Sequence, residues 1–487
     1  MKTLFKILFI FSTVLFASLS CGKKFLDEPP RRVTIQDLLN NPTDGAQRII
    51  AAVYSKLYDW QQHSFSWNGI TSMTSDDADK GSDPGDSGAD KHELDNWTFN
   101  ASSISFFEVW ESNFQGIGRA TYALKFLPEM NLQPDDKDRY TGEARMLRAY
   151  FYFNLVRMFG GVPKIDKVLE SQADIEAASS RASAEEIYAF IESDLNDAIA
   201  KLPVTVTTAE NGRVTKSAAQ ALLAKVSLYQ RKWGQAKAMA DAVIASGKYS
   251  LLPDYAMIWR EAGEFSSESI WEVNAVGVDP SKGIEGYFVT QAPRGPDGLG
   301  WGFNTPTDDL ANAYEPNDKR RAATIIFRGQ TLWDGFVVNQ GAPNPRYNYK
   351  SYVSKTRESF NGDDWNSNKN LRILRLGDIL LIKAEAENEL GNLEPARTAL
   401  NQIRARAGLE NTTATNQAEM RMAIWNERRF EMAFEHDRMF DLRRTGRAGQ
   451  VLRAHGKAYV DGKHDLFPIP QRQIDLSGGK LSQNPGY

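Results

Sequence analysis

The chain has 487 residues, of which 41% are hydrophobic and 25% charged, and its formal net charge is −4. This is the composition of an ordinary globular protein, and it lacks the basic field that a nucleic-acid binder needs. Past the N-terminal region no apolar run reaches the ~18 residues of a membrane span, and the single cysteine, Cys21, excludes an intramolecular disulfide, so packing must supply the stability.

Lys2 and Lys6 precede an apolar stretch at residues 7–19, too short to span a bilayer as a permanent helix. Ser18 and Ser20 then flank Leu19 just before Cys21. We read residues 1–20 as a signal peptide, cut before Cys21, with lipid on the new N-terminus. A lipoprotein box usually has leucine three residues before the cysteine, where this chain has Ser18. The alternative is a cysteine that happens to lie near an ordinary secretory cleavage site. Residues 21–32 (CGKKFLDEPPRR) form a tether; its two prolines cannot sit inside a helix.

The remainder, 33–487, reads as one body. Helical patterning covers about 43–60. Residues 61–101 are rich in Asp, Ser and Gly and read as loop. Helices return over about 106–159, closed by Gly160, Gly161 and Pro163. The next helical block is 183–247, opened by a capping box of Ser183 and Glu186. Within it, 216–247 reads as two helices with a turn at Trp233-Gly234. The last block, 375–445, repeats that plan with a turn at Gly391-Asn392. Ala221 and Ala224 match Ala384 and Ala386, and Ala236 matches Ala396. Small residues at such places let two helices approach closely, as in tetratricopeptide repeats of about 34 residues. The predicted fold is mainly α: tetratricopeptide-like helical hairpins form a scaffold, and a loop-rich inserted lobe with short strands covers about 61–101 and 250–370. Long irregular segments on a rigid scaffold are where binding surfaces usually sit.

The run NERRFEMAFEHDRMFDLRRTG, 426–446, interleaves charge with aromatic residues. On one helix, Arg428 reaches Glu431, Glu435 reaches Arg438, and Arg438 reaches Asp441. This run, the ending LFPIPQRQIDLSGGKLSQNPGY, the repeat RLGDILLIKAEAENELG and the start CGKKFLD together resemble the SusD/RagB family of outer-membrane lipoproteins of Bacteroidetes. The chain departs from the family's habits at His436, often Gly, at Met439, often aromatic, and at Gln473, often Glu. The resemblance implies a cell-surface protein anchored in the outer membrane by its lipid, with no cofactor and no catalysis. It implies a SusC-like TonB-dependent transporter as partner and a nutrient as ligand, usually an oligosaccharide and sometimes a peptide. It further implies that the helical scaffold largely faces the transporter and that loops of the other lobe hold the ligand.

A sugar offers an apolar ring face and a rim of hydroxyls, so its site wants an aromatic plate and fixed polar side chains. Trp67 and Trp97, with Asp76 and Asp77 between them, answer that description. Trp301 and Asn304 of the inserted lobe and the guanidinium of Arg372 join them as candidates. The competing reading makes each Trp a core residue and the aspartates a solvated loop. Calcium at Asp77, Asp79 and Asp83 is a further reading, but Gly81 at the fifth position and the lack of a closing Glu break the EF-hand spacing. A surface glycan hydrolase would need two positioned carboxylates; the chain has none of the GxSxG, HExxH or P-loop motifs, and its five histidines are scattered. A purely protein-binding repeat adaptor would not need the aromatic insertion.

Overall fold

The computed structural model describes residues 34–487, apart from 84, 87, 280, 281, 296–298, 361, 363 and 364. The expected signal peptide, Cys21 and the expected tether lie outside the described residues.

The scaffold is helical. Helix Pro42–Tyr54 packs on the long pair Ile104–Phe126 and Pro134–Phe159. The second of these starts earlier than the sequence pattern suggested, with Pro134 in its first turn beside Asp135 and Asp136, which suit the positive end of a helix. Ala184–Lys201 follows, capped by Ser183 and Glu186 as expected. Two helical hairpins complete the series: Lys216–Tyr229 with Trp233–Ala245, and Leu376–Glu389 with Leu393–Ala407. Ala221, Ala224, Ala236, Ala384, Ala386 and Ala396 are all fully buried where these helices meet. The two hairpins turn differently. Gly391 takes the left-handed conformation at φ 84°, as its residue type favours. In the first hairpin Arg231 does so, at φ 56°, and Trp233-Gly234 belongs to the second helix. No glycine marked that turn, so the sequence reading placed it two residues late.

Among the described residues, three two-stranded antiparallel ladders hold the lobe. Ala78–Gly81 pairs with Phe303–Pro306, joining the two loop-rich stretches. Ser269–Val273 pairs with Leu371–Arg375, returning the chain to the last hairpin, and Ile325–Phe327 pairs with Arg346–Asn348. The stretch 61–101 is more regular than its composition suggested. It contains helical turns at Phe65–Asn68 and Gly69–Met73 and the helix Ala89–Asn96. Trp67, Ile70 and Met73 recur every three residues and face the interior, so burial overrides the weak propensity of the residues between them.

The charged C-terminal run is not one helix. Gln417–Met432 ends and Arg438–Arg444 begins anew, with Phe434 at φ 63° and His436 at φ 70° between them. The anticipated i,i+3 pairs are therefore replaced by long-range ones. Arg428 binds Asp378 and Asp441. Glu431 accepts from Arg375 at 2.5 Å and also pairs with Arg406 and Arg320. Burial pushes the Glu431 carboxyl up, but these guanidiniums outweigh it and hold the group well below the carboxylate range. The run is a buried ionic hub, with a structural role.

Candidate functional site

Three loops bring together Trp60, Trp301 and Trp365, each half-buried and each keeping part of its surface in water. Trp60 opens the short helix Trp60–His63. Trp301 stands in the sequence Gly300-Trp301-Gly302. Its N–H donates to Val289 O at 2.8 Å, a side chain at Gly300 would strike that same carbonyl, and Gly302 adopts φ 74°. The glycines thus let the backbone lie close against residues 289–292 and turn the indole outward. Trp365 lies a few residues before the strand Leu371–Arg375.

The Trp60 and Trp365 rings are stacked, centroids 4.9 Å apart at 13°. Trp301 is tilted by 58° to Trp60 and by 47° to Trp365, at 6.1 and 5.8 Å. Phe65 supports the group, meeting Trp301 edge-on at 6.1 Å and Phe303 at 4.6 Å. The Lys91 ammonium lies 4.3 Å from the Phe65 ring. Polar groups border the plate at Gly302. Asn344 Nδ2 donates to its carbonyl at 3.3 Å, and Arg294, one third exposed, donates to Ser82 Oγ at 2.7 Å and pairs with Asp86. Such a surface can take apolar ring faces and a rim of hydroxyls.

Of the residues expected at a site, Trp301 alone belongs to this cluster. Trp67 is 3% exposed and meets His63 and His436 edge-on, each at 5.9 Å. Trp97 is 2% exposed, donates from Nε1 to Thr74 O and packs on Tyr459 and Phe467. Both are core residues rather than plates. Asp76 and Asp77 are buried beneath two arginines of the C-terminal run. Arg438 binds Asp76 through two bonds of 2.7 Å, and Arg429 donates to Asp77 at 2.6 Å. Burial raises the Asp76 carboxyl, yet Arg438 and Arg429 prevail and hold it well below the usual range, whereas for Asp77 burial prevails and the carboxyl is raised. Asn304 is buried and donates to Gln291 Oε1. Arg372 is buried and donates to the carbonyls of Asn370 and Arg260. These polar groups serve the interior, and none of them reaches the tryptophan surface.

Asp77, Asp79 and Asp83 do not converge on a common point. Among the described residues the carboxylate and histidine atoms that do are those of Asp76, Asp309 and His455, and there Arg438 and Arg429 already supply the positive charge.

Sequence reasoning missed Trp60, Trp365 and Phe65. Trp60 follows the end of a helical pattern, and Trp365 was one of many aromatic residues in the lobe. The glycines on both sides of Trp301 were the one local signal of an exposed plate.

Residues 267–487 match the SusD family, and residues 24–228 match a family described as starch-binding and associating with the outer membrane. The chain is 26% identical to SusD-like protein P2 of Formosa agariphila, with 99% of both chains covered. A laminarin-binding SusD-like protein of known structure is 30% identical, with a TM-score of 0.79, 91% of this chain covered and 99% of that one. Surface glycan-binding protein A from Bacteroides thetaiotaomicron, in complex with laminarihexaose, is 25% identical with a TM-score of 0.78, again with 91% of this chain and 99% of that one covered.

Proposed function

This chain belongs to the SusD family, and on that premise we propose that it captures a glycan at the cell surface and hands it to a SusC-like TonB-dependent transporter for import. The observation that carries this reading is the half-exposed cluster of Trp60, Trp301 and Trp365. Keeping three indoles partly in water forgoes hydrophobic stabilisation, which is reasonable where a ligand covers them. Sugar faces stack on the indoles, and Arg294 and Asn344 at the border of the plate take the hydroxyls.

The ligand class to test first is a β-glucan of the laminarin type, because two similar proteins carry laminarin or laminarihexaose in their names. The reading is a binder rather than a hydrolase. The carboxylates bordering the plate are engaged elsewhere: Asp59 pairs with Lys56, Asp86 with Arg294, and Glu285 accepts from the N–H groups of Trp60 and Trp365. Cys21 carries the lipid that holds the body at the outer membrane. A Cys21→Ala protein recovered from the soluble fraction supports that anchor; one still acylated and membrane-bound contradicts it.

The test is a binding screen of residues 22–487 against polysaccharides and peptides. Saturable binding of a glycan without product formation supports the reading. Binding of peptides alone, or turnover of a glycan, overturns it.

A further inference from the structure

We propose that Glu285 and Gly286 are the positioning element of the tryptophan surface. This rests on the glycan-capture reading and says what fixes the plate's geometry. One Glu285 carboxylate holds the backbone under one ring and the other ring itself: Oε2 accepts the backbone N–H of Trp60 at 3.1 Å, and Oε1 accepts the indole Nε1–H of Trp365 at 3.2 Å. Its backbone takes part as well. The Glu285 N–H donates to Tyr58 O at 3.2 Å, and its carbonyl accepts the Ser64 hydroxyl, so the short helix carrying Trp60 is held on both sides. Gly286 donates to Trp365 O at 2.9 Å.

Gly286 is required for a separate reason. It sits at φ 67°, and a side chain there would collide with the Trp60 ring and touch Trp365. The bare backbone therefore forms the floor on which the two rings meet. Residues 58–64, 285–286 and 365 come from three distant parts of the chain, and Glu285 and Gly286 join them by hydrogen bonds, where Trp301 meets both rings only at a tilt. A charge-assisted acceptor holding two donors fixes an orientation that ring stacking alone leaves soft. The cost of ordering the plate is met on folding rather than on binding, and ligand affinity gains accordingly.

The test uses Glu285→Gln and Glu285→Ala in residues 22–487. Two stacked indoles give an exciton couplet in far-ultraviolet circular dichroism, which reads their mutual orientation without any ligand. We expect the couplet to weaken in both variants, more in Glu285→Ala. Glycan affinity should fall roughly tenfold in Glu285→Ala, the worth of a hydrogen bond to a charged group, with a smaller loss in Glu285→Gln because the amide oxygen still accepts one donor. A couplet and an affinity unchanged in both variants would overturn the proposal. Thermal melting identifies a variant that fails to fold, in which case the other variant decides. Trp301→Ala, which leaves the clamp intact, separates the two claims. If it abolishes binding while the Glu285 variants bind as wild type, the clamp is wrong and the surface is right. If it binds as wild type while the couplet still depends on Glu285, the surface is not the ligand site and the clamp stands as structure only.

Discussion

Trp60 and Trp365 lie face to face, 4.9 Å between centroids and 13° between planes, although one enters from the helical scaffold and the other from the far end of the inserted lobe. Their stacking makes one plate out of two loops. Trp365→Ala removes the stacked neighbour of Trp60 and leaves that indole only its tilted contacts with Phe65 and Trp301. We expect glycan affinity to fall about two- to tenfold, since an aromatic pair contributes about 0.5–1.5 kcal/mol beyond the area it buries. Isothermal titration measures it, and an unchanged affinity would remove Trp365 from the surface.

Asp76 belongs to the interior, and its replacement should be felt there. In Asp76→Asn the buried Arg438 loses its two-bond partner and Arg429 loses a second carboxylate. Removing one partner of a buried pair costs about 3–5 kcal/mol. A drop of that size in urea stability with ligand affinity retained is expected. Lost affinity at unchanged stability would return Asp76 to the ligand site.

His436 stands at φ 70°, where the family often has glycine, and its ring bonds Thr71 Oγ1 at 2.9 Å and Tyr287 OH at 3.0 Å. His436→Gly relieves a strain of about 1–3 kcal/mol but leaves a cavity and strands the Tyr287 hydroxyl, at about 1–3 kcal/mol, while Thr71 still donates to Trp67 O. We expect a net loss of about 1–3 kcal/mol by urea denaturation. A more stable glycine variant would mean that strain outweighs the contacts.

Acid should weaken the fold in a window set by buried histidines. Burial pushes His63 down to about 4 and His436 to about 3, from 6.5 when unfolded. Between those values the unfolded chain binds more protons than the folded one, so stability falls as pH drops below 6.5. Glu264, pushed up to about 7 by burial against a counteracting Arg372, works in the opposite sense. The folded chain holds its proton, and stability rises as pH falls from 7 toward 4.5. Urea midpoints at pH 7 and pH 5 measure the balance. In His63→Gln the acid loss should be smaller than in the wild type; an unchanged slope would show that His63 does not titrate on unfolding.

The scaffold was readable because its signals are local. Alanines at helical spacing, the Ser183–Glu186 cap and Gly391 each act within a turn or two. The site was not, because its geometry is made by distant segments. Trp67 and Trp301 look alike in sequence, both flanked by polar and small residues, yet one is swallowed by the core and the other is held at the surface by Gly300 and Gly302. The acidic loop and the basic C-terminal run were both conspicuous. Each was read alone, while the structure joins them as Asp76–Arg438 and Asp77–Arg429. Composition reports charge; it does not report which charges meet.

The central claim, that a glycan binds on the tryptophan surface, is tested most directly by titrating Trp301→Ala and Trp67→Ala beside the wild type with the best glycan from the screen. The account expects Trp301→Ala to lose at least about tenfold in affinity while melting as the wild type does. Trp67→Ala should instead lose about 3–5 kcal/mol of stability as a core truncation and still bind where folded. Full affinity in Trp301→Ala, with binding lost in a stably folded Trp67→Ala, would contradict it.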